Sequence, residues 1–321
     1  MRETQLGIAA GTVSAPTETG RTLLRDLFVS MRPQQWTKNL FILAPLLFSK
    51  NLGELIALKY AILAFVCFCL ASSAVYVFND IRDARHDNLH PVKATRPISA
   101  GRLPVSTAWI GMVVLLASSL SISWTMGANM FPFVSAYLAL MAAYCLYLKR
   151  VIVLDAMCIA GGFVLRVTGG AAAISVKPSN WLIVCTFLLA LFLAFAKRRQ
   201  ELQSLASAAG HREVLGGYTL AFLEQVNTVL LASLVVCYAL YTVAPETVDR
   251  SGTDLLIYGT LFVLYGLFRY LSLIQDSRKG GDPGKLLISD RPLVITVLIW
   301  ALYNSAVIYR AEIATSWQRL F

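Results

Sequence analysis

Residues 79–87 read NDIRDARHD and place carboxylates at Asp80, Asp83 and Asp87 directly after an apolar run. On an α-helix turning about 100° per residue, Asp83 lies about 60° from Asp80 and Asp87 about 20° from it. The three acids share one face, while Arg82 and Arg85 point elsewhere. Grouped hard oxygen ligands suit Mg2+, which binds through one or two carboxylates, waters and substrate phosphates. Asn79 can add an amide ligand or a hydrogen bond. The bland alternative is a solvated helix end whose acids balance the nearby arginines. Position argues against it, because these acids end a hydrophobic helix on the side where basic residues are expected.

Five further stretches carry charge in patterns that could meet anions. HPVKATRPISAG supplies Lys93 and Arg96 and then Pro and Gly breakers. A basic loop beside a carboxylate face can hold a diphosphate. MRPQQWTKN, residues 31–39, sets Arg32, Gln35 and Lys38 along one side of a helix. Ordinary basic anchoring with an interfacial Trp36 is the competing reading there. In YLKRVIVLDAMCIAGGFVLR, residues 147–166, Tyr147 and Lys149 precede Asp155 and Arg166. The last two lie about 20° apart on one helical face but about 16 Å apart along the axis, too far to pair directly. Gly162 and Gly169 fall near the same face, which gives a polar stripe of small residues. An ionised group inside a membrane is costly and implies function by default. KRRQEL, residues 197–202, pairs Lys197 with Glu201 at i, i+4, with Arg198 beside them. GGDPGKLLISDRP, residues 280–292, brings Lys285, Asp290 and Arg291. Asp290 is equally placed to cap a helix that starts at Arg291-Pro292.

The elements that must position these residues are membrane helices. The chain has 321 residues, a mean hydropathy of +0.64 and 14% charged residues, against about 25% in a soluble domain. Nine spans of about 20 apolar residues are expected near 39–58, 60–79, 105–126, 130–148, 151–174, 181–197, 218–244, 254–274 and 292–311. Pro45 and Lys50 interrupt the first. With the N-terminus cytoplasmic, the inside segments hold 20 Lys or Arg and the outside segments 6. The positive-inside rule favours that orientation, and it accounts for the net charge of +10 without nucleic acid. The six cysteines lie within apolar runs, without paired spacing, and read as small buried hydrophobes. Residues 1–20 read as a disordered cytosolic tail, and residues 21–321 as one membrane-embedded catalytic domain. The fold class is an all-α membrane bundle.

NDxxDxxxD at the end of a span, followed by RPISAG, resembles the UbiA superfamily of intramembrane prenyltransferases, over most of the chain from Arg32 to about Trp300. The resemblance implies nine transmembrane helices around a central cavity open to the cytoplasmic side and laterally to lipid. Typical members carry a second aspartate-rich motif after the sixth span, and the two motifs bind a prenyl diphosphate through Mg2+. Here that loop, KRRQELQSLASAAGHREVLGGYT, holds Lys197, Arg198, Glu201 and Glu213 but no aspartate.

This departure, with RPQQWTKN, YCLYLK, FVLRVTGG, KRRQEL and GDPGKLLISDR, resembles the branch of decaprenyl-phosphate phosphoribosyltransferases. That likeness implies transfer of 5-phosphoribose from phosphoribosyl diphosphate to a polyprenyl phosphate, an early step towards lipid-linked arabinofuranose for envelope glycans. It implies Mg2+ on Asn79, Asp80, Asp83 and Asp87, with the donor held by Arg32, Gln35, Lys38, Lys93, Arg96, Tyr147 and Lys149. Asp155, Arg166, Lys197, Arg198 and Glu201 are expected at the lipid phosphate or the other phosphates. The cytoplasmic membrane is the expected location, and a homo-oligomer is compatible with it. The rivals are a prenyltransferase acting on an aromatic acceptor and a transporter, which would release no pyrophosphate.

Overall fold

The computed structural model describes residues 20–88, 93–127, 129–205, 216–275 and 289–312. The N-terminal tail, Glu213 and Lys285 lie outside the described residues. The helices are α1 (Gly20–Ser30), α2 (Ala44–Phe48), α3 (Leu55–Asp87), α4 (Val105–Thr125), α5 (Phe131–Leu146), α6 (Leu154–Ala173), α7 (Asn180–Leu205), α8 (Leu220–Val243), α9 (Pro245–Ser251), α10 (Gly259–Gln275) and α11 (Arg291–Ile308). Among the described residues, seven helical stretches are long and apolar enough to cross a membrane, and α5 is a shorter apolar helix. Their outer faces expose large apolar side chains such as Ile110, Trp124, Val229 and Leu302. The chain is an integral multi-pass membrane protein.

The first expected span differs from expectation. Residues 39–58 do not form one α-helix. A 3-10 helix, Pro33–Leu43, runs into the short α2, and a turn then leads to α3. A 3-10 run of eleven residues is unusual, because its hydrogen bonds are poorer than those of an α-helix. Side chains from both partners hold it against α3. Trp36 Nε1 donates to Ser73 Oγ at 3.1 Å, and Asn39 Nδ2 donates to Ser72 Oγ at 3.2 Å and to Cys69 Sγ at 3.3 Å. Trp36 therefore faces α3, with Phe28 edge-on to it, rather than serving only as an interfacial anchor. The segment runs antiparallel to α3, from Arg32 beside Asp80 towards the start of α3.

α3 has 33 residues and is about 50 Å long at 1.5 Å per residue. That exceeds a hydrocarbon core of about 30 Å. Its apolar part ends at Phe78, so the last turns, Asn79–Asp87, form a polar overhang. α3 and α6 are the most buried spans and form the centre, while α4 is the most peripheral. Small residues on α6 allow close packing. At Gly170 a Cβ would lie 2.1 Å from the Ile42 carbonyl oxygen, so the 3-10 segment passes against bare backbone. Cys67, Cys69, Cys145 and Cys158 are buried, and all six cysteines are free.

Candidate functional site

Apart from Arg166, the described charged residues singled out in the sequence gather at one end of the bundle: the C-terminal ends of α3 and α7, the N-terminal ends of α6 and α11, and the turn between α5 and α6. The overhang of α3 carries the acids. Asp80 and Asp87, two turns apart, are both buried. Arg96 Nη1 bridges them, 3.1 Å from Asp80 Oδ1 and in contact with Asp87 Oδ2. Arg32 Nη2 reaches the same Asp80 oxygen at 2.5 Å, and Lys93 Nζ lies 3.8 Å from Asp87. Asp83 turns to a different partner. Lys149 Nζ donates to its two oxygens at 2.8 and 2.9 Å and to Asn79 Oδ1 at 3.3 Å.

The three acids thus divide two and one rather than meeting at one point, and among the described residues no three acidic, His or Cys side chains converge as a metal cluster. The reason is the surplus of cations: Arg96 holds Asp80 and Asp87 together, while Lys149 draws Asp83 away. The donor set still fits Mg2+. Two buried carboxylates already share one cationic nitrogen, and hard oxygen ligands of this kind suit that ion.

Arg82, the arginine between Asp80 and Asp83, has a part that its sequence position did not reveal. Its guanidinium donates to the carbonyl oxygens of Cys145 at 2.7 Å and Leu146 at 3.2 Å. These are orphan acceptors at the end of α5, which a cation satisfies well. The contact docks the 3-10 turn Leu148–Arg150 on α3 and presents Lys149 to Asp83. Tyr147 makes none of these contacts; the residue is 72% exposed.

The second network lies where α6 begins. Asp155, fully buried, accepts from Arg198 Nε at 2.7 Å and from the Tyr218 hydroxyl at 2.6 Å. Arg198 Nη1 also donates to Glu201, three residues on, at 2.9 Å. Lys197, one residue before Arg198, is partly buried. The Tyr218 hydroxyl also accepts the Val153 N–H at 2.7 Å. Val153 has φ 69° and ψ −46°, and Leu154 N–H bonds back to the Ile152 carbonyl at 2.8 Å. This is the rare, strained form of γ-turn, here on a β-branched residue. Burial first, and the Asp155 hydrogen bond second, push the Tyr218 phenol well above its usual range.

A third group sits deeper. Arg166 donates to Asn39 Oδ1 at 2.7 Å, to the Gly162 carbonyl at 2.9 Å and to the Tyr137 hydroxyl at 2.9 Å. Asp155 and Arg166 do not pair, as their spacing requires. Arg32, Gln35 and Lys38 recur every three residues beside a 3-10 helix, whose side chains at i and i+3 eclipse. All three are partly buried. Asp290 caps α11 by accepting the Leu293 N–H at 3.0 Å and pairs with Arg269 at 2.8 Å, which is the structural one of its two sequence readings.

The UbiA prenyltransferase family profile matches residues 41–289. The chain is 35% identical over 302 residues to the decaprenyl-phosphate phosphoribosyltransferase of Mycolicibacterium smegmatis, covering 90% of this chain and 94% of that protein. It is 32% identical to the proteins of that name in Mycobacterium tuberculosis, covering 88% and 94%, and in Corynebacterium glutamicum, covering 90% and 88%. The fold is similar to that of a UbiA homolog from Archaeoglobus fulgidus bound to GPP and Mg2+, with a TM-score of 0.69 and 19% identity over 88% of this chain and 99% of that one. The match of a family profile to most of the chain, and of relatives to nearly all of it, shows that this chain belongs to the UbiA prenyltransferase family.

Proposed function

We propose that this protein transfers 5-phosphoribose from phosphoribosyl diphosphate to a polyprenyl phosphate of the decaprenyl type, and releases pyrophosphate. The carrying observation is similarity to phosphoribosyltransferases along nearly the whole chain. The site's chemistry supports it. Arg32, Lys93, Arg96 and Lys149 surround a single acidic motif. A reaction that gathers a diphosphate, a 5-phosphate and a lipid phosphate needs such an excess of cations.

In this reading the bond from ribose C1 to the diphosphate oxygen breaks, and a bond from C1 to an oxygen of the lipid phosphate forms. The nucleophile is already anionic and needs no general base. Arg32 and Arg96 hold the diphosphate, with Lys93, Lys149, Gln35 and Lys38 around it. Asp80 and Asp87 hold Mg2+, with Asp83 and Asn79 adjacent. Bound there, Mg2+ supplies charge neutralisation to the departing diphosphate. Lys197, together with Arg198 in the network that Asp155 and Glu201 anchor, borders the site on the α7 side. The bundle crosses the cytoplasmic membrane nine times, with the site on the cytoplasmic side. The 20 to 6 division of Lys and Arg supports that orientation.

The test is purified protein in detergent with phosphoribosyl diphosphate, decaprenyl phosphate and Mg2+. Lipid-linked phosphoribose and pyrophosphate are expected, with both lost on chelation of the metal. Product formed only from a prenyl diphosphate and an aromatic acceptor would replace this reading with ordinary prenyl transfer.

A further inference from the structure

Among the described residues three arginines are buried in the bundle: Arg166, Arg198 and Arg199. Two have acidic partners. Arg198 has Asp155 and Glu201, and Arg199 has Glu224 at 2.8 Å. Arg166 has neutral ones: an amide oxygen, a carbonyl, a phenol, and the ring faces of Tyr137 at 4.6 Å and Phe163 at 5.1 Å. A guanidinium carries five N–H donors, and these bonds engage three of them. A buried ion with no opposite charge costs several kcal/mol, and such groups in membrane helices face bundle interiors and mark pathways. If the task were only to fasten α6 to the 3-10 segment, an amide would do it without that cost.

The surroundings turn this arginine towards the charged end of the bundle. α6 starts at the charged end, and helical side chains lean towards the N-terminus. The guanidinium therefore sits one turn nearer that end, beside the bare Cα of Gly162, where a Cβ would lie 3.4 Å from Nη1. Tyr76, one turn before Asp80 on α3, lies within electrostatic reach of both Arg166 and Arg32. Arg32 sits over its ring, 5.1 Å from the centroid. Tyr76 nevertheless keeps part of its surface accessible. Asn39 has its nitrogen committed to Ser72 and Cys69, which turns its oxygen to Arg166 and fixes the guanidinium.

Resting on the function proposed above, we infer that Arg166 is the counter-ion for a second substrate phosphate, bound deeper than the diphosphate at Asp80. The ligand is a phosphate monoester dianion. The 5-phosphate of the donor and the phosphate of the polyprenyl acceptor share that chemistry. Substrate supplies the negative charge that the protein withholds.

The test compares wild type with Arg166→Gln and Arg166→Lys. KM is measured for each substrate, and so is the preference for phosphoribosyl diphosphate over ribosyl diphosphate lacking the 5-phosphate. A charged hydrogen bond of about 1.5–3 kcal/mol corresponds to roughly 10- to 100-fold in affinity. If the donor's 5-phosphate binds here, Arg166→Gln raises the donor KM by that factor and erases the preference, leaving the lipid KM in place. If the lipid phosphate binds here, the two KM effects exchange. Apo Arg166→Gln should melt no lower than wild type, because it removes an uncompensated charge. Unchanged KM values and preference, or a lower melting temperature as the sole effect, overturn the inference. Should the Gln variant not fold, Arg166→Lys, with fewer donors, reads the same discrimination. Failure of the function proposal shows separately, as a wild type that makes no lipid-linked phosphoribose. In that case, binding of ribose 5-phosphate and of polyprenyl phosphate to wild type and variant decides, and equal binding of both overturns the inference.

Discussion

The Tyr218 hydroxyl donates to Asp155 at 2.6 Å. The phenol comes from the approach to α8 and the carboxylate from the first turn of α6. The same oxygen accepts the N–H of Val153, the strained residue at the start of α6. One hydroxyl thus secures both the unfavourable turn and the acid that neutralises Arg198. Tyr218→Phe is expected to lower stability by about 1–3 kcal/mol, the cost of leaving buried partners unsatisfied. The phenol is displaced upward in the folded state. The folded protein therefore binds that proton more tightly, so the contribution is fully present below an unfolded pKa of about 10 and is lost as pH rises past it. The difference in melting temperature between wild type and Tyr218→Phe should be constant from pH 6 to pH 9.

The acids at the two networks should respond differently to removal. Asp80 pairs with Arg32 and Arg96, whose side chains remain about a quarter exposed and can return to water. Asp80→Asn and Asp87→Asn should leave the fold intact and lower turnover by about 10²–10³, the loss typical for an electrostatic stabiliser. Asp83→Asn should also remove nearly all transfer without unfolding the protein. Asp155→Ala strands the buried Arg198 with Glu201 alone, and should cost about 3–5 kcal/mol in stability. Turnover and thermal melts on the same preparations separate the two behaviours. Wild-type stability in Asp155→Ala would refute the contrast.

Arg82 is a positioning residue, acting on the site through Lys149. Arg82→Ala frees the end of α5 and the turn that presents Lys149. Activity should fall roughly tenfold, as for loss of a supporting contact, with the Mg2+ requirement shifted. Arg82→Lys, which can still donate to a carbonyl, should recover part of it. An unchanged metal titration in Arg82→Ala speaks against this role.

Gly170 fixes the approach of α6 to the 3-10 segment. Alanine there would collide with backbone, the Ile42 carbonyl, rather than with a flexible side-chain tip. Gly170→Ala should destabilise by about 1–3 kcal/mol or more. Gly161→Ala meets only the Leu140 tip at 3.2 Å and should cost less, as paired thermal melts would show.

The parts of this protein visible in its sequence were those governed by local rules. Long apolar runs gave most spans, and the i, i+3, i+7 acids gave a real polar overhang on α3. The separation of Asp155 from Arg166 followed from helix rise alone. What the sequence concealed depends on partners distant along the chain. Asp83 leaves the other acids because Lys149, 66 residues away, draws it. Arg82 reads as a neutral bystander until α5 ends beside it. Tyr218 lies at the end of the loop sequence that begins at Lys197 and carries no charge to single it out. The 3-10 segment was hidden for a different reason: its hydrophobicity suits a span, and its geometry is set by bonds to α3.

That segment solves a problem of reach. At about 2.0 Å per residue in the 3-10 part and 1.5 Å in α2, the sixteen residues from Pro33 to Phe48 cover about 30 Å. Wound as an α-helix throughout, the same residues would cover about 24 Å, short of the hydrocarbon thickness. Stretching the coil lets a short piece of chain extend from the charged mouth to the far rim. Lengthening Pro33–Phe48 by a few residues would remove the need for the stretched form, and with it the three-residue stacking that aligns Gln35 and Lys38.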